Sequence, residues 1–200
     1  MSQRIAEVIE ATSTEFTAGT YELLTAPPFG ALVRAQARDN GMAIYGLVYK
    51  IHTGSRDIGG RALVRGRTYA GRELYDAEIY HEHPELAEVL QTEYSAIIVG
   101  FVEGDAIRQF LPPQPPPVHY SVYECGADEM VRFNQALDYF RTVLLTPHIP
   151  GDEALAAAVR AAARAAADER AFLVRAGREI ASLLKDDYDR LTAILRRFRP

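Results

Sequence analysis

Pro112-Pro-Gln-Pro-Pro-Pro117 places five prolines in six residues. Proline lacks an amide hydrogen and has a fixed φ, so the run can neither sit inside a sheet nor continue a helix; it acts as a stiff spacer. The hydrophobic period changes across it. Upstream, short runs rich in Ile, Val, Thr, Phe and Tyr alternate with turn residues, as in strands. Downstream, apolar residues recur at helical spacing. The expected fold class is therefore α+β: a small closed β-barrel over residues 1–111 with an inserted helix near 76–93, a proline spacer over 112–117, and a helical hairpin or bundle over 118–200.

The upstream half divides further. Ile5 to Tyr21 reads as two strands with a turn near Ser13 or Gly19. Ala26-Pro-Pro-Phe-Gly30 breaks the ladder. Ala31 to Ala37 is a short strand, and Arg38-Asp-Asn-Gly41 a hairpin turn. Met42 to His52 is the strongest strand, with Gly46 marking the bulge or bend that a closed barrel needs. Thr53 to Glu78 mixes glycines and arginines, as a long loop or a pair of short strands. Asp76 to Glu93 has a helical stripe, Tyr94 to Val102 reads as a buried strand, and Glu103-Gly104-Asp105 turns it into Ala106 to Leu111, the two together closing the barrel.

Beyond the spacer, Glu129 to Leu145 carries a broad apolar stripe ended by Pro147 and Pro150. Asp152 to Ala171 is rich in alanine, the best helix former. Arg178 to Phe198 continues the helical pattern after Gly177. The stripe at Tyr188, Leu191, Ile194, Leu195 and Phe198 has two readings: packing on the preceding helix, or laying one face in a partner's groove with Arg190, Arg196, Arg197 and Arg199 around it.

Charge narrows the function. The 200 residues carry net −5, with pI near 5.6, which argues against a domain devoted to gripping phosphates. The imbalance lies in residues 1–150, with 12 basic and 19 acidic side chains, against 10 and 8 in the remainder. Cys125 stands alone, which excludes an internal disulfide and any cysteine-based metal cluster. There is no run of about 18 apolar residues and no basic-apolar-small leader at the start, so a cytoplasmic location without membrane contact is expected.

Candidate chemistry is sparse. In His81-Glu82-His83 the two histidines would point about 200° apart on a helix and could not share a metal. His52, His119 and His148 are scattered, and no serine or cysteine elbow accompanies them. Cys125 precedes a helix start, where the dipole could lower a thiol pKa, although packing explains a lone small residue. Glu73 with Asp76, Asp152 with Glu153 and Asp186 with Asp187 sit at turns or helix starts, where capping accounts for them. No catalytic residue, cofactor or metal is assigned.

Some landmarks go further. Ile5-Ala-Glu-Val-Ile-Glu-Ala-Thr-Ser-Thr-Glu-Phe16, Pro28-Phe-Gly30 leading into Ala31-Leu-Val33, and Ile44-Tyr-Gly-Leu-Val48 resemble the opening hairpins of the HAS barrel. That β-domain is shared by HerA-type DNA translocases and rotary ATP synthases. The resemblance covers residues 4–111. The departure is that no G-x-x-x-x-G-K-[ST] loop follows; Arg175-Ala-Gly-Arg-Glu179 has one glycine and no lysine.

What the resemblance implies is a non-catalytic adaptor in DNA processing that binds a HerA-like translocase, its nuclease or a related ring ATPase. Its candidate partner-binding residues are Thr14, Glu15 and Phe16 of the first turn, with Arg190, Arg196, Arg197 and Arg199 of the tail. The alternative is a small nucleic-acid-binding barrel that uses Arg56, Arg61, Arg65, Arg67 and Arg72 with the tail. An enzyme with an unrecognised site is the third possibility. Oligomeric state stays open.

Overall fold

The computed structural model describes residues 3–38, 41–57 and 59–198. Among them lie strands β1 (Arg4–Ala11), β2 (Glu15–Thr20), β3 (Leu32–Gln36), β4 (Met42–Ser55), β5 (Leu90–Glu103), β6 (Ala106–Arg108) and β7 (Ser121–Glu124). The helices are α1 (Ala77–Glu82), α2 (Leu86–Val89), α3 (Ala127–Phe133), α4 (Tyr139–Leu145), α5 (Gly151–Ala165), α6 (Glu169–Leu183) and α7 (Tyr188–Arg196). The fold is α+β.

Six strands, in the order β2-β1-β7-β3-β4-β5, close on themselves through β2 and β5, all pairs antiparallel. β6 adds to β5 beyond the end of β2. The proline run does not end the barrel. It carries the chain across to Ser121, and β7 fills the gap between β1 and β3, pairing Val122 with Ala6 and Ala35. The strand content thus extends past residue 111.

Alternation explains two cores. Val8, Phe16, Ala18, Val33, Ala35, Ile44, Tyr94, Ala96, Ile98 and Val122 point inward and fill the barrel. The many alanines suit six strands, whose interior has room for few large side chains. The outward residues Leu32, Tyr45, Leu47, Ile97 and Val99 pack against the helices. Strands β3, β4 and β5 are therefore buried on both faces, which is why their sequences read as nearly continuous apolar runs.

α5 is the centre of the helical layer. Its Ala154, Leu155, Ala156, Ala158, Val159, Ala162 and Ala163 are buried among α3, α4, α6 and α7. Small side chains let the chain approach closely: Gly30, at φ +81°, lies so near Ala157 that a methyl group there would overlap it.

Several boundaries differ from expectation. The stripe over 76–93 is only α1 and α2, because β5 starts at Leu90 and stays paired with β4 as far as Ser55. The helix expected over 129–145 is two, and the alanine-rich one stops at Ala165. Ala166 is extended (ψ 146°), and the Asp168 carboxylate accepts a hydrogen bond from the Ala171 amide at 2.9 Å, starting α6. Gly177 lies inside α6 without breaking it. The break falls instead before Asp187, which caps α7 by accepting from the Arg190 amide at 3.1 Å. The Gly46 expectation holds, since the β4–β5 register shifts between Tyr45 and Gly46. Asp39 and Asn40 of the β3–β4 turn lie outside the described residues, and Gly41 beside them has φ +96°.

Candidate functional site

The β1–β2 turn is built by short side chains that bond to the local backbone. The Thr12 Oγ1 accepts from the Glu15 amide at 3.2 Å, and the Thr12 amide donates to the Glu15 carbonyl at 2.8 Å. The Ile98 amide donates to the Thr14 carbonyl at 2.8 Å, which fixes the turn on β5. The Glu15 carboxylate accepts from Tyr49 Oη at 2.6 Å. Burial, and then this bond, push the Tyr49 phenol up to about 12.

Thr14 is exposed and Glu15 half-buried at the rim of the barrel. Phe16 is neither: it is 1% exposed inside the barrel, and β alternation requires this, because its neighbours Glu15 and Thr17 face out. The expectation that Phe16 meets a partner is corrected.

Beside that rim runs a groove that the sequence reading missed. Thr14, Ile97, Phe110, Leu111, Arg141 and Leu145 line it, and its volume is about 510 Å³. Three apolar side chains stand open along it: Phe110 is 61% exposed, Leu111 44% and Leu145 58%. Gln109 holds this wall in place. Its Nε2 donates to the Phe133 carbonyl at 2.7 Å and the Ala136 carbonyl at 3.1 Å, while its Oε1 accepts from the Tyr139 amide at 3.2 Å. Phe110 stacks edge-on against Phe101, 5.4 Å between centroids. The sequence signals for the groove were the turn residues Thr14 and Glu15 and the pair Phe110-Leu111 just before the prolines.

The tail arginines are largely committed within the molecule. Arg190 Nε meets both Asp152 oxygens, at 2.9 and 3.1 Å, and its NH2 donates to the Leu144 carbonyl at 2.9 Å. One cation thereby joins Asp152 in the first turn of α5 to the last turn of α4, where it satisfies the Leu144 carbonyl. Arg197 Nε pairs with Glu153 at 2.6 Å. Arg196 is exposed, and Arg199 lies outside the described residues. Ile194 and Phe198 are buried in the helical core and Leu191 packs against it, while Tyr188 and Leu195 stay exposed, so only part of the stripe packs on the chain's own helices.

The arginines of the β4–β5 connection are spread, not focused. Arg56 donates to the Leu90 and Ala87 carbonyls at 3.0 and 3.1 Å, and Arg72 bridges Glu78 and Glu82 at 3.1 and 3.3 Å. Arg65 is half-buried, while Arg61 and Arg67 are exposed and make no hydrogen bond or ion pair among the described residues. Residues 56–89 hold five arginines against seven carboxylates, a mixture that does not favour phosphate over solvent.

Other candidates yield little chemistry. Burial, with Glu129 alongside, pushes the Cys125 thiol up, opposite to the lowering that a helix start offered. His83 Nδ1 lies 3.0 Å from Glu85, and His119 Nδ1 lies 2.8 Å from Glu7. Among the described residues no three His, Cys, Asp or Glu are placed to share a metal ion. No helix there is long and apolar enough to cross a membrane. No protein-family model matches the chain, and no curated protein does either.

Proposed function

We propose that this chain is a non-catalytic cytoplasmic adaptor, a HAS-type barrel with a helical layer, that docks on a HerA-like DNA translocase, its nuclease or a related ring ATPase. The observation that carries the reading is the groove at the barrel rim. A closed barrel filled by its own side chains has no interior for a ligand, yet Phe110, Leu111 and Leu145 leave apolar surface open beside the rim turn. A partner segment would bury these three residues as its anchor, with Thr14 and Arg141 supplying polar contacts at the edge.

The test is size-exclusion chromatography and calorimetric titration of the purified chain against the translocase and nuclease of the same cell. Micromolar binding is expected, weakened at least about tenfold in Phe110→Asp or Leu145→Asp. Arg61→Glu with Arg67→Glu should leave it unchanged. If neither protein binds the wild-type chain, the adaptor reading fails.

A further inference from the structure

From Gly59 to Arg72 the chain has four arginines and no carboxylate, while the rest of the molecule has 18 basic and 27 acidic side chains. The positive charge of this loop is joined to uncovered apolar surface. Leu63 is 76% exposed, Val64 98%, and Tyr69 is fully exposed. Arg72 is held by Glu78 and Glu82, and Leu63 walls a pocket with Ile79 and Leu86, but Val64, Arg61 and Arg67 stand open, and such a loop suits a protein surface that is acidic and partly apolar. Nucleic acid would not bury Leu63 and Val64.

The same molecule carries such a surface. The β-ladder registers set Glu7 opposite Gly19 and Gly19 opposite Glu93. Two carboxylates therefore face outward from β1 and β5 about 10 Å apart, flanking Gly19, against which the Gln91 side chain lies; Glu7 also pairs with His119 Nδ1 at 2.8 Å. Ile9 sits next to that glycine and is 37% exposed, and Glu10 beside it is open to solvent. The helical layer covers the outward residues Leu32, Tyr45, Leu47 and Ile97 but leaves Ile9 and Glu10 bare.

We infer that the Gly59–Arg72 loop of one molecule docks on the β1–β2–β5 outer face of a second copy, placing Leu63 and Val64 against Ile9 and the open arginines Arg61 and Arg67 against Glu10 and Glu93. The contact is heterologous: each molecule offers a loop to one neighbour and a sheet face to another, so assembly proceeds head to tail. The attraction between opposite charges at the rim weakens as salt rises.

Sedimentation velocity tests this with two double variants, one in the loop (Leu63→Asp with Val64→Asp) and one on the face (Glu10→Lys with Glu93→Lys). All substituted positions are wholly or partly exposed, and matching circular dichroism and melting profiles check that the fold is kept. The wild-type mass should rise with concentration at low salt and fall back at high salt. Each variant alone should self-associate at least about tenfold more weakly. An equimolar mixture of the two should form a heterodimer and stop there, because the face variant still has a loop and the loop variant still has a face. The inference is overturned by a wild-type monomer up to the highest concentration, by assembly that survives in either variant, or by a mixture that stays monomeric. A low-salt mobility shift of an oligonucleotide that is lost in the loop variant would assign the loop to nucleic acid instead.

Discussion

Single side chains in this molecule act by direction as much as by type. Glu15 and Phe16 are adjacent, yet one accepts a hydrogen bond on the rim and the other is core. The Tyr49–Glu15 bond gives a pH signature. A phenol whose folded pKa is raised from 10 to about 12 contributes stability that is fully present below pH 10 and is lost as pH climbs through about 12. Burial raises Tyr45, Tyr94 and Tyr139 in the same direction, so the slope is shared. The midpoint of urea unfolding should fall steadily across that window, and more gently in Tyr49→Phe. If the variant tracks the wild type throughout, the Glu15 contact carries no linkage.

At the scale of elements, Gly46 shows how one strand bends around the barrel. A methyl group there would stand 2.7 Å from the Phe16 ring and 2.9 Å from Ala96 Cβ, closer than packed atoms tolerate. Gly46→Ala should lower stability by about 1–3 kcal/mol in denaturant titrations, and pairing it with Phe16→Leu should recover part of the loss. Full additivity of the two changes would mean that they do not share this space. The bend was legible in the sequence because a lone glycine interrupts an apolar run. β4 and β5 were legible because burial on both faces leaves little polar alternation. β7 was not: Ser121-Val-Tyr-Glu124 is too short to signal a strand, and its state comes from β1 and β3 on either side. The break between α3 and α4 was hidden for a similar reason. Arg175 caps the Asn134 and Gln135 carbonyls there from α6, 40 residues away. Of the groove's lining, Thr14 and Glu15 could be read from the turn chemistry, but the exposure of Phe110 and Leu111 depends on how Gln109 ties the chain to α3 and α4.

Across the whole molecule, barrel and helices share the outer of the two cores, because Leu32, Tyr45, Leu47 and Ile97 are outer barrel residues and inner residues of the helical layer at once. Calorimetry should therefore find a single transition whose van't Hoff and calorimetric enthalpies agree. A chain stopped after Glu124 would bare that apolar face and is expected to aggregate; a soluble fragment that unfolds cooperatively would show that the barrel stands alone. The late arrival of β7 also matters for biosynthesis. Until the ribosome has released Glu124, the nascent cylinder is an open shell with a missing stave, and the facing edges of β1 and β3 remain a template for any passing strand.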